Sequence, residues 1–104
     1  MDDAPVGSPT LAEIRDRLDE VDVRLVEVLA DRARLIHQVI EFKRARGMAV
    51  VDRKREDEML ARMERLAAAR GLDPRIGRAV LRAVIDAFTL LEVEELEPAD
   101  PSEG

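Results

Sequence analysis

Three cations spaced along one helical stretch, Arg15, Arg32 and Lys43, precede a charged run, Asp52-Arg53-Lys54-Arg55-Glu56. Cations so placed can hold a small polycarboxylate, and a fixed ammonium can stabilise an oxygen that gains negative charge during a reaction. Arg32 is the most informative of them. Leu11, Ile14, Leu18, Val21, Leu25 and Val28 follow alternating steps of three and four. The next position in that series is Arg32, and Val39 resumes it. A cation in an apolar seam is costly unless an anion meets it, and a ligand can be that anion.

Arg32 and Lys43 are eleven residues apart, three helical turns to within about 20°, so both project from one face. Two readings stand side by side: a pair of solvated cations on a drifting amphipathic helix, and a pocket with two cations spaced for a dicarboxylate. Arg15 sits roughly 100° away in the other direction. On its own it reads as a surface arginine paired with Asp19 at i+4, although in an antiparallel dimer it could reach a partner's pocket. Asp52 and Glu56 are an i, i+4 carboxylate pair that suits a helix N-terminus, a fit that leaves Arg55 unexplained. His37 has no second histidine or cysteine to join it at a metal. Arg62-x-x-Arg65 and Arg78-x-x-x-Arg82 read as solvated faces, and Met59 and Met63 as core filling.

The elements that must position these residues are helices. Thr10-Leu11-Ala12-Glu13 matches a capping box. No Gly or Pro interrupts the chain from there to Arg46, and Gly47 is a natural stop. A helix of this length spans about 54 Å, against a radius of gyration of about 13 Å for a compact chain of about 100 residues. Its apolar face therefore calls for a second copy. Asp52 caps a second helix that runs to Arg70 and stops at Gly71. Asp73-Pro74 opens a third, carrying Ile76, Val80, Leu81, Val84, Ile85, Phe88, Leu91 and Leu96 and ending before Pro98. Residues 1–9 read as a flexible polar lead, 10–97 as one helical domain and 98–104 as a disordered acidic tail. The expected fold is all-α, with one long and two shorter helices per chain in an intertwined helical dimer.

Composition narrows the function. With 104 residues the chain holds one domain. Phe42 and Phe88 are its only aromatic side chains, so the core is aliphatic. A net charge of −6 argues against nucleic-acid binding and makes a local concentration of cations more informative. The absence of cysteine excludes thiolate metal sites and suits a reducing compartment. No apolar run approaches the roughly 20 residues of a membrane span, and Asp2-Asp3 does not suit a signal peptide; the cytoplasm is expected.

The order Arg15, Arg32, Lys43, Asp52-x-x-Arg55-Glu56 and Glu92 resembles the all-helical class of chorismate mutase over about residues 10–97. Ile14-Arg15 followed by Leu18-Asp19-x-x-Asp22, and the Asp31-Arg32 pair, fit the same pattern. The resemblance implies a cytoplasmic homodimer of aromatic amino-acid biosynthesis that converts chorismate to prephenate by a [3,3]-sigmatropic rearrangement. No metal, nucleophile or cofactor is implied. Each site would draw Arg15 from the partner and the rest from one chain. Arg15 and Arg32 would hold the substrate carboxylates in the reactive chair geometry. Lys43 would donate to the ether oxygen as the C–O bond breaks. Asp52 and Glu56 would receive the ring hydroxyl, Arg55 would orient Glu56 or assist a carboxylate, and Val39 and Phe88 would form walls.

Two positions depart from the common pattern. Many bacterial members carry glutamine where Glu92 stands, and a glutamate can donate to the ether oxygen only when protonated. Phe88 replaces a serine that commonly touches the substrate. The second departure raises an alternative substrate, 4-amino-4-deoxychorismate, whose amino group would sit near Asp52 and Glu56. An isochorismate pyruvate-lyase ranks third, because Asp52-x-x-Arg55-Glu56 looks more like the mutase pattern. A non-catalytic helical dimerisation module is the remaining alternative; it does not explain Arg32 in the apolar series beside Lys43.

Overall fold

A computed structural model describes residues 7–96. Three helices follow one another: α1 (Leu11–Arg46), α2 (Arg53–Ala69) and α3 (Pro74–Leu96). Among the described residues there is no strand, as the sequence predicts. No helix among them is long and apolar enough to cross a membrane. The expected tail over 98–104, and residues 1–6 of the expected lead, lie outside the described residues.

Five helix ends have the chemistry that their residues imply. The Glu13 amide donates to Thr10 Oγ1 at 3.2 Å, and the Thr10 amide donates back to Glu13 Oε1 at 3.5 Å, closing the capping box that starts α1. At the other end Gly47 adopts a positive φ of 62°, and the Met48 amide donates to the Lys43 carbonyl at 3.0 Å. That is the six-to-one bond of a Schellman cap. Asp52 caps α2 by accepting the Arg55 amide at 3.1 Å. The helix ends at Ala69 with Arg70 as its C-cap, one residue earlier than the sequence suggests. Gly71 at φ 74° turns the chain, so the Leu72 amide reaches the Ala67 carbonyl at 2.9 Å. Asp73 caps α3 through the Arg75 amide at 2.9 Å, with Pro74 in the first turn, where no amide is missed.

The chain divides into two compact units, Met1–Leu35 and Ile36–Gly104. In the first, α1 runs alone, and its apolar row is open: Leu18 is 55% and Leu25 49% exposed, with Leu11, Ile14, Val21 and Val28 exposed as well. In the second, α2 and α3 pack against each other. Ile40 and Leu60 are fully buried there, joined by Ala67 and Ile85. Gly77 marks a close approach of α3 to α2: a Cβ at that position would lie 2.9 Å from Ala67 Cβ and 3.4 Å from Met63 Cγ. Met59 and Met63 are half-buried, consistent with their expected filling role.

Candidate active site

Lys43 sits in the last turn of α1, where the Gly47 reversal brings the following strand of chain back over its side chain. Its Nζ donates to the Val50 carbonyl at 2.8 Å and to Glu92 Oε2, near the end of α3, at 3.1 Å. The Lys43 side chain is 15% exposed and Glu92 is 7% exposed. An ion pair this buried interacts far more strongly than a surface pair, and neither partner can be removed without stranding the other. The ammonium has three donors and two partners among the described residues, so one N–H remains to meet an anion or an ether oxygen. Ile40, one turn before Lys43, and Ile85, two turns before Glu92, are buried. Phe88, one turn before Glu92, is half-buried, and Val39 is exposed in the chain taken alone.

Glu56 is the second buried carboxylate, on the first turn of α2. Arg82 Nη1 of α3 donates to its Oε1 at 3.0 Å, and Arg53 Nη1 reaches the same oxygen at 3.5 Å. Arg82 also donates to Asp86 Oδ1 at 3.3 Å. The hydrogen bond to Glu56, reinforced by the charges of both carboxylates, pushes the Arg82 pKa above its usual range. The solvated-face reading holds for Arg78, which is exposed and pairs with Glu64 at 2.7 Å; it is corrected for Arg82, which is half-buried and ties α3 to Glu56. No sequence signal marks this tie: Ile76, Val80, Leu81, Val84, Phe88 and Leu91 all lie roughly 100° or more around α3 from Arg82.

The other sequence-predicted residues are placed as follows. Asp52 and Arg55 meet through the α2 cap, where Asp52 Oδ1 accepts the Arg55 amide. The Arg55 side chain is exposed and is not among the partners of Glu56. Arg15 and Arg32 belong to the Met1–Leu35 unit; Arg15 is exposed and Arg32 half-buried. Arg15 and Asp19 form no salt bridge among the described residues. His37 lies in the other unit with its Nδ1 3.7 Å from Glu95 Oε1.

The arrangement offers a buried ammonium with a spare donor, a carboxyl group beside it, and a second carboxylate held by a guanidinium. It can bind and polarise an oxygen-rich anion, and none of its groups is placed as a nucleophile. Comparison with known proteins points the same way. Residues 14–93 match the family model described as chorismate mutase type II. A chorismate mutase of Methanocaldococcus jannaschii is 31% identical over 87 residues, covering 84% of this chain and 88% of that protein. The T-protein of Enterobacter agglomerans is 37% identical over 75 residues, 72% of this chain and 20% of its own length.

Proposed function

The chain belongs to the type II chorismate mutase family, a family of isomerases, and on that premise we propose that it rearranges chorismate to prephenate by electrostatic preorganisation. The observation that carries the reading is the buried Lys43–Glu92 pair. In a [3,3]-sigmatropic rearrangement the ether C–O bond breaks as a C–C bond forms, and negative charge grows on the ether oxygen. The spare N–H of Lys43 donates there. A cation already fixed by Val50 and Glu92 needs no reorganisation at that moment, which makes it effective in an apolar site.

Glu92 plays a second part. As a carboxylate it accepts from Lys43; as a carboxylic acid it also donates to the ether oxygen. Asp52 and Glu56 receive the ring hydroxyl, Arg32 and Arg55 hold carboxylates, and Val39 and Phe88 wall the site.

The open apolar row on α1 supports a homodimer. At about 25 cal/mol per Å², covering six aliphatic side chains favours association strongly, and a second copy presents the same row. In that dimer the partner's Arg15 completes the clamp on the substrate carboxylates, so that the ring and side chain are held in the reactive chair.

Phe88 supports a second reading, that the physiological substrate is 4-amino-4-deoxychorismate, since an aromatic ring at this half-buried position reshapes the pocket floor without supplying a hydroxyl. Rates with both compounds, measured side by side on the purified protein, test the two readings. Efficient turnover of chorismate supports the first and turnover of the amino compound alone supports the second. Turnover of neither, with Arg32→Ala changing only thermal stability, would leave a helical dimerisation module.

A further inference from the structure

We propose that Arg82 is a positioning residue that sets substrate preference: it clamps one oxygen of Glu56, presents the other to the substrate's ring hydroxyl, and disfavours a cationic group in the hydroxyl's place. The inference rests on the mutase reading and adds a residue to it.

Glu56 is buried, and both of its hydrogen bonds fall on Oε1: Arg82 Nη1 at 3.0 Å and Arg53 Nη1 at 3.5 Å. Among the described residues no hydrogen bond reaches Oε2. The two clamps are unequal. The Arg53 side chain is 80% exposed and its bond is long, whereas Arg82 is half-buried and is itself braced by Asp86. Arg82 therefore fixes the carboxylate plane from α3, and Oε2 is left as an oriented acceptor. A ring hydroxyl is a neutral donor and needs only that acceptor.

Charge decides the second half. Arg82, though shared with Asp86, offsets part of the Glu56 charge, so an ammonium gains less there than beside an isolated carboxylate, and it also meets the guanidinium as a like charge. Removing the Arg82 charge should weaken hold on a hydroxyl-bearing substrate, because Glu56 loses its orientation. It should also improve the relative standing of an amino-bearing substrate, because the Glu56 charge is no longer offset.

The test is steady-state kinetics of the full chain and its Arg82→Gln and Arg82→Lys variants, with chorismate and 4-amino-4-deoxychorismate, alongside circular dichroism. The expected result for Arg82→Gln is a rise in KM for chorismate of up to about tenfold, the worth of one oriented hydrogen bond, with a much smaller change in kcat. The preference for chorismate over the amino compound should fall by a similar factor, and Arg82→Lys should restore part of it. If Arg82→Gln does not fold, Arg82→Lys and its own ratio decide the matter, since it keeps the charge and loses the fork. A purely structural Arg82 would lower thermal stability and leave both the ratio and KM where they were; that result overturns the inference while the unsubstituted chain still turns over chorismate. If the unsubstituted chain rearranges neither compound, the underlying reading fails instead.

Discussion

Glu92 Oε2 accepts a hydrogen bond from Lys43 Nζ at 3.1 Å, joining residues 49 apart in sequence whose side chains are both largely buried. The bond makes two demands of Glu92 that conflict. Lys43 favours the ionised carboxylate, and an ether oxygen favours the acid.

A side chain that accepts from Lys43 and also donates to the ether oxygen should therefore suit the position. Glu92→Gln offers both a carbonyl acceptor and an amide donor, so kcat/KM should be kept or raised, whereas Glu92→Ala should lose roughly 100-fold or more. Steady-state rates of both variants beside the unsubstituted chain check this. A Glu92→Ala rate equal to that of the unsubstituted chain would remove Glu92 from the proposed donor role.

The shared-site dimer makes a complementation prediction. Arg15→Ala and Lys43→Ala should each be nearly inactive alone, the second losing roughly 100-fold or more for want of its cation. Refolded together in equal amounts, they should regain roughly a quarter of the unsubstituted activity, because half the dimers are mixed and each mixed dimer holds one intact site. No recovery on mixing would mean that Arg15 acts within its own chain or not at all.

Gly77→Ala probes the α2–α3 approach. The added methyl would stand 2.9 Å from Ala67 Cβ, a side chain with no freedom to swing away. Helix propensity alone favours alanine by about 1 kcal/mol, but overpacking typically costs about 1–3 kcal/mol. A net loss of stability is expected in chemical denaturation. A gain would show that the two helices part easily.

Asp73 gives a pH dependence of stability with a defined sign. Its hydrogen bonds from the Arg75 side chain and amide hold its pKa below the ordinary 3.8. A depressed folded-state pKa contributes stability that is fully present above 3.8 and is lost as pH falls below it. Asp73→Ala should therefore melt at a lower temperature than the unsubstituted chain at neutral pH, and the gap should narrow in strong acid. A gap that persists undiminished there would assign the effect to something other than the Asp73 charge.

Much of the architecture was legible because helix ends are local chemistry. Thr10-x-x-Glu13, Asp52, Asp73-Pro74, Gly47 and Gly71 each act within a few residues of their own position, and the helices begin and end within a residue of where they place them. The Lys43–Glu92 contact was reachable only through the family pattern, since nothing in either helix's own periodicity names its partner. Arg82 was missed for a related reason. Its local neighbour Asp86 makes it look like any surface i, i+4 pair, and its tie to Glu56, 26 residues away, depends on how α3 lies on α2. Gly77 was missed because a glycine inside a helix reads as a weakness until the opposing Ala67 is seen.

Incubating the purified chain with chorismate and identifying the product over time, with Arg32→Ala in parallel, tests the proposed rearrangement itself. Stoichiometric conversion to prephenate by the unsubstituted chain, without added metal or cofactor, is expected, with a rate reduced by orders of magnitude in the variant while the helical content stays the same. Chorismate that persists at the uncatalysed rate, or that yields a product other than prephenate, would contradict it.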